Sequence, residues 1–166
     1  MTETETHATT DAQDIRIAYL ADHLDALPTL VDWEVTTWGH LAPSRTPDDV
    51  RASFMRRSTR GAIPSTRLAL DGATPVGMAS LVQQDLTTRP ELTPWLASVF
   101  VTPHARQRGI GGQLVRAVVA DAKALGVSRL YLITPDRMPF YRRLGWTEQE
   151  VVEYRAESVT IMWIEQ

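Results

Sequence analysis

Val99-Phe100-Val101-Thr102-Pro103-His104-Ala105-Arg106-Gln107-Arg108-Gly109-Ile110-Gly111-Gly112-Gln113-Leu114 is the stretch on which the fold turns. An apolar run stops at Pro103, a glycine-rich turn follows, and an amphipathic helix opens. Over 111–125, Leu114, Val118, Ala122 and Leu125 recur at helical spacing on one face, and Gly126 closes the run. A helix start leaves four backbone amides unpaired and carries about half a positive charge. Gly109, Gly111 and Gly112 keep side chains out of the path of an approaching anion, and Arg106 and Arg108 add charge beside it. The stretch reads as an anion site at a strand–helix junction; its plainer reading is a tight turn alone. Two other phosphate signatures are excluded. GxGxxG fails at Leu114, and no GxxxxGK[ST] run exists.

Outward from this junction, short strand-like and helix-like runs alternate. Upstream, Ile15, Ile17 and Tyr19 alternate with polar or small residues as a first strand. Leu24–Trp38 is helical, with Pro28 suited to a first turn, so this helix begins late or breaks there. Thr46 caps a second helix with Pro47, Asp48 and Asp49 in its first turn; Val50, Phe54 and Met55 are expected inward and Gly61 is its stop. Arg67–Leu70 and Val76–Val82 form a hairpin around Asp71-Gly72, and Trp95–Val101 is a further apolar strand. Downstream come a strand at Leu130–Ile133, a helical turn or two at Met138–Leu144 ended by Gly145, and closing strands at Val151–Tyr154 and Val159–Ile164. With no repeat and no linker, the alternation predicts one mixed α/β (α+β) domain over 15–166, after a disordered tail over 1–14.

Composition narrows the class. Hydrophobic residues at 43% and charged residues at 22% exclude global disorder in a chain of 166 residues. The absence of cysteine excludes disulfides, thiolate catalysis, zinc ribbons and iron–sulfur clusters. His7, His23, His40 and His104 show no ligand spacing, so no metal is expected. A net charge of −3 gives no general affinity for a phosphate backbone, and Arg51, Arg56, Arg57 and Arg60 spread around a helix as a solvated face. No nucleic-acid partner is expected. Met1–Asp14 has no apolar core and no later run approaches a membrane span, which predicts a soluble, cytoplasmic protein without a membrane partner.

Two segments carry a resemblance to a known family. Arg106-x-x-Gly109-x-Gly111 after the strand resembles the acetyl-CoA signature of the GNAT superfamily of N-acetyltransferases. Phe140-Tyr141-x-x-Leu144-Gly145-Trp146 resembles the same family's FYxxLGF segment, in the expected order, with a helix and a strand between. The likeness covers residues 15 to 165, and the Trp33–Trp38 region resembles uncharacterised bacterial members. It implies a mixed, mostly antiparallel sheet of six to seven strands with flanking helices, splayed between the strands at 95–101 and 130–133. It further implies acetyl-CoA as cosubstrate, with the pantetheine arm paired to Val99, Phe100 and Val101. The pyrophosphate would sit over Gln107, Arg108, Gly109, Ile110, Gly111 and Gly112, with Arg106 beside them, and Tyr141 would protonate or hydrogen-bond the departing thiolate.

The implied reaction is direct transfer of acetyl to a primary amine of a small molecule or peptide. A lysine-like amine is neutral about four times in ten thousand at pH 7, and an α-amine about one time in ten. A base therefore matters more for the first than for the second. A reference tyrosine is a weaker acid than a thiol by about 1.5 pH units, so Tyr141 works as a hydrogen-bond donor as readily as an acid. Relatives often carry a glutamate on the strand matching Trp95–Val101, and this one has no carboxylate. The base is then Glu34, Asp85, Glu91 or a water chain. Glu34 and Trp38, one turn apart on the first helix, are the candidate acceptor-binding pair, a negative and aromatic wall for a cationic amine. The missing strand carboxylate keeps a second reading open, a non-catalytic acyl-CoA-binding or regulatory module. A homodimer is also left open.

Overall fold

Trp95–Val101 (β4) and Arg129–Thr134 (β5) lie side by side and parallel, yet they pair at one position only, Trp95 with Tyr131. The computed structural model describes residues 15–166, so the expected tail over 1–14 lies outside the described residues. Around that junction stand five further strands: Ile15–Tyr19 (β1), Ser65–Asp71 (β2), Thr74–Val82 (β3), Thr147–Tyr154 (β6) and Glu157–Glu165 (β7). Together they form a seven-stranded sheet in the order β1-β2-β3-β4-β5-β7-β6, with every other neighbouring pair antiparallel. The expected splay is present. The Tyr131 amide donates to the Pro94 carbonyl at 3.1 Å, and beyond it the two strands part.

Both faces of the sheet are covered, which is why β2 and β3 read as nearly unbroken buried runs. Leu68, Leu70 and Met78 face the helices Leu27–Trp38 (α1) and Pro47–Arg56 (α2), packing on Leu27, Leu30, Val50 and Phe54. Ala69, Val76, Ala79 and Leu81 face the other way. They pack on Leu114, Val115, Val118 and Ala122 of Ile110–Ala124 (α3) and on Tyr141 of Met138–Arg143 (α4). A one-residue slip in β2 would exchange these two faces. Arg67 locks β2 to α3, both its Nε and Nη2 reaching the Asp121 carboxylate at 2.7 Å, while Tyr19 of β1 donates to the same group.

Local chemistry accounts for most boundaries. Two 3₁₀ turns, Leu20–Asp22 and Leu24–Ala26, precede α1, and Pro28 sits in its first turn, so the helix begins late. Thr46 caps α2 in a reciprocal box, its hydroxyl accepting from the Asp49 amide at 3.1 Å while the Asp49 carboxylate accepts from the Thr46 amide at 2.8 Å. Three expectations need correction. Gly61 does not stop α2, which ends at Arg56; the Arg57 amide and the Ser58 hydroxyl close it on the Phe54 carbonyl, and Gly61 turns the chain only later. Met55 is 45% exposed, one residue round the helix from the buried Phe54. Leu125 is exposed because the chain leaves α3 at Ala124, so the helical spacing no longer places it inward.

Gly77 lets three elements meet. A Cβ there would lie 2.9 Å from the Phe100 carbonyl oxygen and 2.9 Å from Leu114 Cδ1. The leucine can rotate away, but the strand carbonyl cannot. Gly77→Ala is expected to cost about 1–3 kcal/mol in denaturant unfolding. Unchanged stability would show that β3, β4 and α3 do not constrain one another at this point.

Candidate active site

The parted strands open into a cleft of about 930 Å³. Its lining takes in Val99, Phe100, Val101, Arg106, Gln107, Gly109, Ile110, Gly111, Gly112, Tyr141, Glu34 and Trp38, so residues chosen from three separate segments share one space. Arg108 is the exception. It does not line the cleft, and its Nη1 lies 3.4 Å from Asp71 Oδ2 across the β2–β3 turn. Of the three candidate bases, Glu34 and Asp85 line the cleft and Glu91 does not.

On the side of α3, the chain is wound to present amides. Gln107 and Gly109 both take left-handed backbone, φ 64° and 75°, before the helix starts. Bonding within α3 begins with the Gln113 amide on the Gly109 carbonyl at 3.1 Å, which leaves the amides of Ile110, Gly111 and Gly112 without helical partners. A Cβ on Gly109 would meet nothing within 4 Å, so that position opens on free space. Gly111 plays another part: a Cβ there would lie 3.3 Å from the Phe140 ring, so its smallness seats α4 against α3. Arg106 curls back, its Nε donating to the Val101 carbonyl at 3.0 Å and its guanidinium 6.0 Å from the Phe100 ring.

The β4 wall is shaped by a bulge. Ala97 opposes Ser80 and Phe100 opposes Met78, so Ser98 and Val99 together face a single residue of β3. Ser98 takes φ 52°, left-handed for a residue other than glycine. Its hydroxyl accepts from Nη1 of Arg57 at 3.2 Å, and the same guanidinium donates to Ser80 at 3.3 Å and Ser53 at 3.1 Å. The Arg57 side chain was expected on a solvated face with Arg51, Arg56 and Arg60. Instead it lies beneath the bulge, desolvated enough to pull its own pKa down, against the charges of Glu34 and Asp85. No spacing rule points to Arg57, because its three hydroxyl partners come from α2, β3 and β4.

Across the opening stands Tyr141, 7% exposed, edge-on to Phe140 and Trp146 at 5.0 and 6.1 Å between centroids. Burial pushes its phenol up to about 12, with Arg137 pulling the other way and Asp136 adding to the rise. Arg155, in the β6–β7 turn, also lines the cleft, and its Nη1 donates to the Leu41 carbonyl at 3.2 Å. His40 and Glu157 approach at 3.7 Å beside it. Among the described residues no group of three or more His, Cys, Asp or Glu side chains could hold a metal, and no helix is long and apolar enough to cross a membrane.

Among the described residues the sheet is splayed at its one parallel pair, with a glycine-wound helix start on one lip and a buried tyrosine on the other. The model of the acetyltransferase (GNAT) family matches residues 27–146. Glucosamine 6-phosphate N-acetyltransferase 1 of Oryza sativa subsp. japonica is 30% identical over 114 residues, 66% of this chain and 69% of that one. An acetyltransferase from Streptococcus agalactiae 2603 shares the fold at a TM-score of 0.68 and 20% identity, over 93% of this chain and 99% of the other. An aminoglycoside 6'-N-acetyltransferase complexed with coenzyme A shares it at 0.70 and 16%, over 90% and 96%. The chain belongs to the GNAT acetyltransferase family.

The burial of Tyr141 has a spectroscopic consequence. An ordinary tyrosine is half ionised near pH 10, whereas a phenol held at about 12 stays protonated there. Tyr141→Phe is expected to leave the phenolate absorbance of the folded protein unchanged at about pH 10. A loss of about half a tyrosine's signal would mean that the hydroxyl is solvated.

Proposed function

We propose that the cleft binds acetyl-CoA and that the protein transfers the acetyl group to a primary amine of a small molecule or peptide. The observation that carries this reading is the backbone edge at Val99–Val101. It has β3 on one side and, after the single Trp95–Tyr131 pair, no strand on the other. Unpaired strand groups need partners, and a pantetheine arm offers amides at suitable spacing. The same edge runs into the free amides of α3, where Gln107, Gly109, Ile110, Gly111 and Gly112 would receive the pyrophosphate. Arg106 would contribute charge on release from the Val101 carbonyl, while Arg108 would act from outside the cleft or not at all.

The names of relatives agree with this direction: one acts on glucosamine 6-phosphate, another on aminoglycosides with coenzyme A bound. Bound acetyl-CoA supplies an acetyl group activated as a thioester. The chain's own part is to hold the carbonyl, orient the amine and stabilise the departing sulfur. For the last task Tyr141 serves as a hydrogen-bond donor more than as an acid. Full proton transfer from a phenol at about 12 to the anion of a thiol near 8.5 would run uphill by roughly 5 kcal/mol. Donation to the developing charge from a water-poor wall carries no such cost.

Two variants test the reading. Gly109→Val places a branched side chain on left-handed backbone facing the anion site, and acetyl-CoA binding by calorimetry should weaken by at least ~1–3 kcal/mol. Tyr141→Phe should keep acetyl-CoA affinity within a few fold while turnover falls ~10²–10³-fold. Turnover is read as thiol release with a panel of amines that includes glucosamine 6-phosphate and an aminoglycoside. Acetyl-CoA binding without thiol release from any amine would make the chain an acyl-CoA-binding module instead.

A further inference from the structure

Amide formation needs a group to take the amine's proton, and β4 carries no carboxylate to do it. Of the four carboxylates that line the cleft, Asp136 lies 3.9 Å from Arg137 and Glu157 3.7 Å from His40; the other two are Glu34, from α1, and Asp85, from the loop after β3. The cation whose charge acts on both, Arg57, is engaged elsewhere. Its three hydrogen bonds go to Ser53, Ser80 and Ser98, and among the described residues no ion pair within 4 Å joins it to either carboxylate. Glu34 has one oxygen 3.8 Å from Arg45 Nη1, while its Oε2 is buried with no hydrogen-bond partner. Asp85 is half-buried on the cleft wall and makes no side-chain hydrogen bond; the charges acting on it are Arg57 from the end of α2, Glu34 from α1 and Arg155 from the β6–β7 turn. A structural carboxylate in such a place would carry donors. These two keep open lone pairs, which suits them to an incoming N–H group.

We propose that Asp85 takes the proton from the acceptor ammonium, with Glu34 holding the amine beside it. Arg57, tethered by its serines, stabilises the pair's charge without occupying it. The proposal rests on the acetyl-transfer reading and deepens it. An N–H bond of the ammonium breaks and its proton passes to the Asp85 carboxylate. The freed lone pair attacks the thioester carbonyl carbon, and the C–S bond breaks with its electron pair on sulfur. The proton that nitrogen sheds on becoming an amide converts thiolate to thiol, and Asp85 releases its own to water.

Magnitudes then select the acceptor. Burial raises the Asp85 carboxyl to about 6, Glu34 adding to the rise and Arg57 and Arg155 opposing it. Such a base takes a proton from an α-amine near 8 against a factor of about 10², and from a lysine-like amine near 10.4 against about 10⁴. The favoured acceptor is therefore an amine of low basicity: an α-amine, or one beside electron-withdrawing oxygen substituents.

The test is steady-state thiol release with the best acceptor of the amine panel over roughly pH 5 to 9, with acetyl-CoA affinity measured in parallel. Wild-type kcat/KM should rise with pH through about 6, since the base must be ionised. Asp85→Asn should lower kcat by ~10²-fold or more and abolish that limb with acetyl-CoA affinity unchanged, and Asp85→Glu should restore part of both. Glu34→Gln should raise the acceptor KM and keep the limb. An Asp85→Asn enzyme with wild-type kcat and limb overturns the assignment while leaving acetyl transfer standing. Wild-type protein that binds acetyl-CoA yet releases no thiol with any amine overturns both. Should Asp85→Asn fail to fold, carboxyl ¹³C titration of the wild type decides. A midpoint near 6 that moves on adding the amine supports the base, and an ordinary midpoint near about 4 overturns it.

Discussion

A parallel strand pair that bonds once and then separates leaves two rows of backbone groups facing each other across a gap. Everything else in the protein is arranged around that opening. Each lip is fastened on its far side. β5 is registered with β7 along its whole length from Arg129 to Thr134, and β4 is held to β3 on both sides of its bulge. The gap is thus a fixed feature of the sheet, and burying its edges demands either water or a ligand with its own amides. α3 follows one lip of the gap, and α4, which carries Tyr141, follows the other. Strand, helix start and tyrosine come together because the sheet is split, not because they are near in sequence.

The acceptor half of the cleft rests on a different device. A guanidinium beneath a sheet would ordinarily be matched by a salt bridge. Here three serine hydroxyls hold Arg57, and the Phe54 ring lies 4.9 Å from its charge centre. Thr66 extends the network, 2.7 Å from the Ser80 hydroxyl. Neutral partners fix the arginine's position without consuming its charge. The same bonds hold Ser98 in a conformation that few side chains accept, so the shape of the β4 wall and the field in the cleft share one anchor.

Sequence reading reached the fold through features that are local. Glycines on either side of a helix start, an N-cap at Thr46 and a turn at Asp71-Gly72 all act within a few residues, and the structure has each where it was expected. The family followed from two segments whose residues are contiguous. What could not be read was assembled from a distance. Arg57 looked like one more charge on an arginine-rich helix because Ser80 and Ser98 are invisible from α2. Arg108 looked like part of the anion site because its partner, Asp71, lies in a hairpin turn 37 residues away. Met55 and Leu125 were misplaced for a simpler reason: both stand where a helix ends or turns by one residue, and periodicity gives least guidance there.

The hydrogen bond from Arg155 to the Leu41 carbonyl spans 114 positions of sequence and joins two residues of the cleft lining. Its meaning is temporal as well as spatial. β5 finds its second neighbour in β7, the last strand of the chain, and β6 lies outside that pair. A growing polypeptide can build β1 to β4 with α1 and α2 as a local antiparallel unit, but it has no partner for the free side of β5 until the C-terminal hairpin has emerged. Long-range pairings of this kind are slow to form. During synthesis the cleft therefore forms only after the β6–β7 hairpin has emerged, and a chain interrupted before that hairpin exposes the apolar edge of a half-finished sheet.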